Sequence, residues 1–184
     1  SLSEQLKQIE SEKKRVLYGL ANVVRKNSGY AEKHMERLAY NCRMLAQAMQ
    51  LSNVYGKEIS DSYIDTIELA APLCDVGNVV VPMEILQKEG TLTPAEWQIM
   101  HTHTTFGAQL LQDIANSGDY NDYMKMSVEI AQNHHENWDG SGYPAGRAGN
   151  EIPLAAQIVS LVSAYCALTE SRIYRDAYTG EEAL

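Results

Sequence analysis

An all-α bundle carrying one conspicuous loop is the fold the sequence predicts, and three observations point to it. Apolar residues recur at helical spacing along nearly the whole chain. Helix start and stop signals divide it into segments. Glycines gather between residues 139 and 153, in a stretch that reads as a long loop. The 184 residues are enough for one domain with a substantial core, and 45% hydrophobic with 21% charged residues is a soluble globular balance.

Taken in order, Leu2, Leu6, Ile9, Val16, Leu20 and Val23 step by threes and fours, with Lys13 interrupting, which gives a short heptad pattern on a first helix. Such a helix either dimerises or relays a signal from an upstream domain, or it packs on its own domain; the sequence leaves both open. "NSGY" (27–30) breaks it, so residues 1–29 read as a linker or signalling helix and 30–184 as the domain proper. A second helix is expected over 31–51 and a third over 60–74, where "YIDTIELAAPLC" is apolar enough to be buried. Gly77 is read as ending it, and "VVVP" as a short extended connector. "TLTPAEW" opens the next helix, with Thr93 at the N-cap, Pro94 in the first turn and Glu96 at the capping-box position. Helices over 94–115, 121–135 and 154–170 complete the bundle. "TGEEAL" (179–184) reads as the start of a further helix, and the native chain is expected to extend beyond both ends.

A net charge of −9 argues against binding a nucleic-acid polymer, which needs a basic face. A small anionic ligand stays open, because local positive groups or metals can override the global charge. No apolar run is long enough to span a membrane, and the polar N-terminus is not a signal peptide. Cys42, Cys74 and Cys166 are odd in number and widely spaced, which favours a reducing, cytoplasmic setting over a disulfide framework.

"QNHHENWDGSGYP" (132–144) carries the chemistry. Adjacent helical residues point about 100° apart, so His134 and His135 can share one centre only from a frayed helix end. The loop beginning at Asn137 supplies that end. With Asp75, His34 and His103 they form either a metal site or a set of satisfied structural histidines. Imidazole with carboxylate suits Fe, Mn, Zn or Ni. Two such metals close together clamp a phosphodiester and activate water.

Four segments make a specific resemblance: "AEKHMERLAYNCRMLAQAM" (31–49), "LAAPLCDVGNVVVPMEILQKEGTLTPAEWQIMHTHTTFGAQLL" (69–111), "HHENWDGSGYPAGRAGNEIPLAAQIVSL" (134–161) and "YCALTESRIYR" (165–175). In these the chain resembles the HD-GYP family, metal-dependent cyclic di-GMP phosphodiesterases of the HD superfamily, over about residues 31–178. The resemblance implies an HD-type helical bundle. It also implies one metal on Asp75, His103, His134 and His135, and another on His34, the HD pair and a late aspartate. The first set is intact. In the second, Cys74 stands for the family's histidine and Ser163 for its aspartate, while Asp75 is kept. Cys74 is read either as a thiolate ligand or as a small buried residue. Cys166 replaces a second family aspartate, Tyr30 a glutamate of some trinuclear members, and Asn78 the lysine that approaches the substrate phosphate.

The expectation is therefore one surviving metal rather than two, or none. The leading reading is a degenerate domain that binds cyclic di-GMP, a related cyclic dinucleotide or a partner with weak or no hydrolysis. An active phosphodiesterase yielding linear dinucleotide or GMP competes with it, and so does a structural dimerisation or output module. Gly140, Gly142, Tyr143 and Pro144 keep the family loop, which the resemblance places near the nucleotide and links to GGDEF-domain partners. Arg147 and Arg172 are candidate phosphate contacts, each equally readable as a surface arginine. His101 lies outside the motif and is read as an exposed helix residue. A homodimer and an upstream sensor or receiver domain are the other expected partners.

Overall fold

Helix α1 (Leu2–Asn27) opens on a capping box, Ser1 accepting from the Glu4 amide while Glu4 reaches back to the N-terminus. The computed structural model describes residues 1–116, 121–171, 177, 179 and 181–183. Along α1 the two faces part. Leu17, Ala21 and Val24 are buried on the domain, whereas Leu2, Leu6, Ile9, Val16 and Val23 stay exposed. The helix thus packs on its own domain through Leu17, Ala21 and Val24, joined from the heptad seam by Leu20.

Helices α2 (His34–Gln50), α3 (Asp61–Ala70), α4 (Met83–Leu86), α5 (Pro94–Asn116), α6 (Asp122–Asn133) and α7 (Leu154–Thr169) follow. Helix α2 packs against α3 and α7, α6 against α3, α5 and α7, and this layering buries one core. Leu38, Ile67, Leu111, Met124, Ile130 and Val159 lie at its centre. The longer helices present stripes at threes and fours to that core, as Ile64 and Ile67 do on α3. The described residues contain no strand, only an isolated antiparallel bridge between Asp139 and Ala148. No helix among them is long and apolar enough to cross a membrane.

Between α3 and α4 the chain departs from the sequence expectation. The third helix stops at Ala70 rather than 74, and Ala71–Leu73 forms a 3₁₀ turn. Pro72 explains it, since proline has no amide to continue the α ladder. A second 3₁₀ turn, Val76–Val80, stands where an extended connector was expected, leaving only Val81 and Pro82 extended. Gly77 is the reason. A Cβ there would run into the His103 carbonyl oxygen, so the turn can lie directly on α5 only with glycine at this position. Gly107 answers it from α5, where a Cβ would stand 3.0 Å from the Gly77 nitrogen. Helix α5 itself begins as predicted: the Thr93 amide donates to Glu96 Oε2 at 2.7 Å, and the Glu96 amide to Thr93 Oγ1 at 3.3 Å. Helix α2 starts three residues later than expected, at His34.

Candidate metal centre

Asp75 sits between the two 3₁₀ turns, so its carboxylate faces outward from a tight bend toward α5. The Gly77–Gly107 contact brings His103 to it. Helix α6 ends at Asn133, with His134 as its C-cap, and the chain unwinds at His135. That end lets adjacent histidines turn to one centre. One donor atom from each of Asp75, His103, His134 and His135 falls within 4.8 Å of the others. His134 Nε2 is 3.2 Å, and His103 Nε2 3.4 Å, from Asp75 Oδ1. His103 Nδ1 lies 2.7 Å from the Met100 carbonyl, and His134 Nδ1 2.9 Å from that of Ile130. Backbone carbonyls accept only from an N–H, so both rings are protonated at Nδ1 and leave Nε2 for the centre.

Burial would raise the Asp75 carboxyl, yet the hydrogen bonds and charges of His103 and His134 outweigh it and hold the group well below its ordinary range. For His103, burial works against protonation, but the bond to Asp75 prevails and the ring is raised. His135 has no such compensation. Burial first, then the neighbouring His134, push it down to about 2. One ionised carboxylate and a strictly neutral imidazole, beside two rings oriented by carbonyls, form a donor set that fits a divalent transition metal.

On the other side of Asp75 the arrangement changes. His34 is buried, but its Nδ1 lies 2.7 Å from Glu170 Oε2. Its ring stacks on Tyr30 with centroids 4.4 Å apart, and the Tyr30 hydroxyl donates to Asp75 Oδ2 at 3.1 Å. Cys74 is buried, and its thiol is pushed well above the ordinary value, first by burial and then by the charge of Asp75. Ser163 is half-buried on α7 and lines neither cavity beside Asp75. Tyr30 and Glu170 are the members of this group whose contacts the sequence did not suggest.

The 139–153 loop hangs on Glu136. This buried carboxylate accepts from the Ala145 amide at 2.7 Å and the Arg147 amide at 2.9 Å. Gly142 lies so close to the loop's base that a Cβ would collide with the Asn137 nitrogen and the His135 carbonyl. The Tyr143 amide donates to that same carbonyl, and a cis bond joins Tyr143 to Pro144. Tyr143 is thereby set between two imidazoles, His101 at 3.7 Å and His135 at 4.8 Å between centroids. His101 is therefore not the exposed helix residue expected. It is half-buried against the loop, with Trp97 on its other side. An aromatic at Tyr143 was visible in the sequence, but its stacking partner on α5 was not.

A cavity of about 190 Å³ opens beside the cluster, lined by Asp75, His103 and His135 together with Trp97, Met100 and Tyr143. Asn78 also lines it, buried, with its Nδ2 donating to Ser28 Oγ at 3.3 Å. Pro144 is exposed at the loop, and Arg147 directs Nη1 to the Glu151 carbonyl at 3.4 Å rather than lining the cavity. Arg172 lies outside the described residues.

With this geometry in hand, comparison with known proteins is direct. The HD domain family model matches residues 20–184. A probable cyclic di-GMP phosphodiesterase of Vibrio cholerae is 37% identical over 91% of this chain and 38% of its own length. A 3'3'-cGAMP-specific phosphodiesterase 2 of the same organism is 37% identical over 92% of this chain and 30% of its own. A cyclic di-GMP phosphodiesterase of Thermotoga maritima is 38% identical over 82% of this chain and 38% of its own. The chain thus spans about a third of the length of these curated relatives. With the helical bundle, the histidine cluster and the Gly-Tyr-Pro loop of residues 142–144 in one place, the chain belongs to the HD domain family, in its HD-GYP branch.

Proposed function

We propose that the chain is a metal-dependent phosphodiesterase domain acting on cyclic di-GMP or a related cyclic dinucleotide, with its metal held by Asp75, His103, His134 and His135. The observation that carries this reading is the convergence of those four donors within 4.8 Å at the edge of an open cavity. The names of the relatives support hydrolysis more than they support the binding-only alternative that led the sequence reading.

A divalent metal bound there supplies Lewis-acid polarisation of the phosphodiester and activation of water. The chain's own residues do the rest. Asp75, kept ionised, and His135, kept neutral, hold donor atoms ready without a proton to displace. The Met100 and Ile130 carbonyls fix the tautomers of His103 and His134. Trp97 offers a ring face on which a base can lie while the phosphodiester meets the cluster, and Tyr143, its own faces held by His101 and His135, lines the same cavity. Glu136 holds the loop that carries Tyr143.

A second reading, ligand or partner binding with weak turnover, is favoured by Asn78 and Ser163 in place of charged side chains. The exposed seam of α1 fits a homodimer or a relay from an upstream sensor or receiver domain, and the loop fits a GGDEF-domain partner. A cytoplasmic setting suits the three free cysteines. The deciding experiment is product-resolved cyclic di-GMP turnover by anaerobically purified protein with Mn or Fe, beside Asp75→Asn. Linear dinucleotide or GMP that disappears in the variant supports hydrolysis. Binding with no product above the variant replaces it with the second reading.

A further inference from the structure

Asp75 uses its two carboxylate oxygens for different purposes. Oδ1 faces His103 and His134, while Oδ2 accepts the Tyr30 hydroxyl at 3.1 Å. A carboxylate oxygen carries two lone pairs, so accepting one hydrogen bond orients Oδ2 without closing it to a cation.

Tyr30 is held in that position from several directions. Arg25 Nη1 donates to the carbonyls of Tyr30 and Ala31, each at 3.0 Å, which fixes the backbone after α1. The phenol ring lies on the His34 imidazole, nearly parallel at 11°. His34 is itself pinned by Glu170, whose other oxygen is 3.6 Å from Arg37 Nη1. A continuous line of contacts therefore runs from the end of α7 through His34 and Tyr30 to Asp75. The space bounded by Tyr30, His34, Cys74 and Asp75 is a cavity of about 10 Å³. That is room for about one water molecule.

We infer that Tyr30 is a positioning residue whose hydroxyl orients the Asp75 carboxylate, so that Oδ1 faces His103 and His134 and metal binding at that cluster is strengthened. The inference rests on the metal-centred reading above. Partners that orient a metal-ligating carboxylate commonly contribute about 10–100-fold to metal affinity, and Tyr30 is expected to act within that range.

The test is Tyr30→Phe, which keeps the ring and its stack on His34 and removes one hydroxyl. Wild-type and variant protein are titrated with Mn²⁺ and Co²⁺ by calorimetry, with metal content and the Co²⁺ visible spectrum as further readouts. The expected result is weaker binding in the variant, by about tenfold or more, with an altered Co²⁺ spectrum and unchanged far-UV circular dichroism. Equal affinity with an identical spectrum overturns it. Turnover measured alongside separates the claims. Weakened metal binding without wild-type turnover sinks the phosphodiesterase reading alone, while wild-type turnover with metal binding unmoved by the variant sinks the Tyr30 inference alone.

Discussion

On one side of Asp75 three imidazoles converge on open space; on the other an imidazole, a phenol and a thiol are turned to other partners. Both sides are buried and both hold family positions, so neither burial nor sequence position separates them. Convergence does. His103 and His134 spend Nδ1 on backbone carbonyls and turn Nε2 to Asp75, whereas His34, its Nδ1 held by Glu170 in the same manner, joins no cluster of donors among the described residues. A histidine serves a metal when its oriented nitrogen meets other donors. The contrast predicts unequal responses to mutation on the two sides.

The largest effect should follow removal of a donor from the assembled side. Asp75→Asn or His135→Ala is expected to lower metal affinity by at least about 100-fold, beyond the range of an outer partner. His34→Ala should change it far less. Metal content after dialysis against a weak chelator measures all three. Equal losses from His34→Ala and His135→Ala would erase the distinction between the sides.

Next comes the contact that presses the Asp75 segment onto α5. Gly77→Ala places a methyl against the His103 carbonyl, and neither backbone can yield without moving a cluster residue. A cost of about 3 kcal/mol or more is expected, the upper end for overpacking. Urea denaturation of the metal-free protein gives the number. Metal affinity should fall with it, since the displaced element carries His103. A stable variant with intact metal binding would mean that the two sides are coupled less tightly than the glycine contact implies.

Much of this was legible beforehand, for a definite reason. Helices α5 and α6 announce themselves through caps and threes-and-fours spacing, and the need for a frayed end at His134–His135 follows from helix geometry alone. Local pattern carries such features. It carries nothing about Gly77, whose role depends on what α5 brings to it, so a glycine that reads as a helix stop proves to be a point of close approach. The His34–Glu170 pair joins residues 136 positions apart, and the His101–Tyr143 stack joins two elements. Spacing within either element cannot reveal them. Glu136 was missed likewise: a charged residue beside a loop reads as solvent-facing until two amides of that loop are seen to need an acceptor.

A smaller effect is expected from the engaged side. Glu170→Ala leaves His34 Nδ1 and Arg37 without their buried acceptor, at a cost of about 1–3 kcal/mol. Metal affinity should change less than in Tyr30→Phe, because Glu170 reaches Asp75 only through two intervening rings. Thermal unfolding and metal titration on the same sample separate these outcomes. A metal loss as large as that of His135→Ala would show the engaged side to be a second coordination site after all.

The smallest change should come from Cys74→Ala, and it bears on the residue whose two readings differ most. A thiol ligates as the thiolate. Burial, and then the charge of Asp75, hold the Cys74 thiol well above its ordinary value, so the protonated form dominates at neutral pH. A metal would have to displace that proton to gain the thiolate. On the proposed reading the side chain is a small apolar filler, and its loss should cost about 1 kcal/mol of stability. Metal affinity should be unaltered, and Co²⁺-loaded wild-type protein should lack a near-ultraviolet thiolate charge-transfer band. Alkylating reagents should leave Cys74 untouched in the folded protein and modify it once urea is added. A charge-transfer band that vanishes in Cys74→Ala would make the thiolate a ligand and join the two sides of Asp75 into one centre.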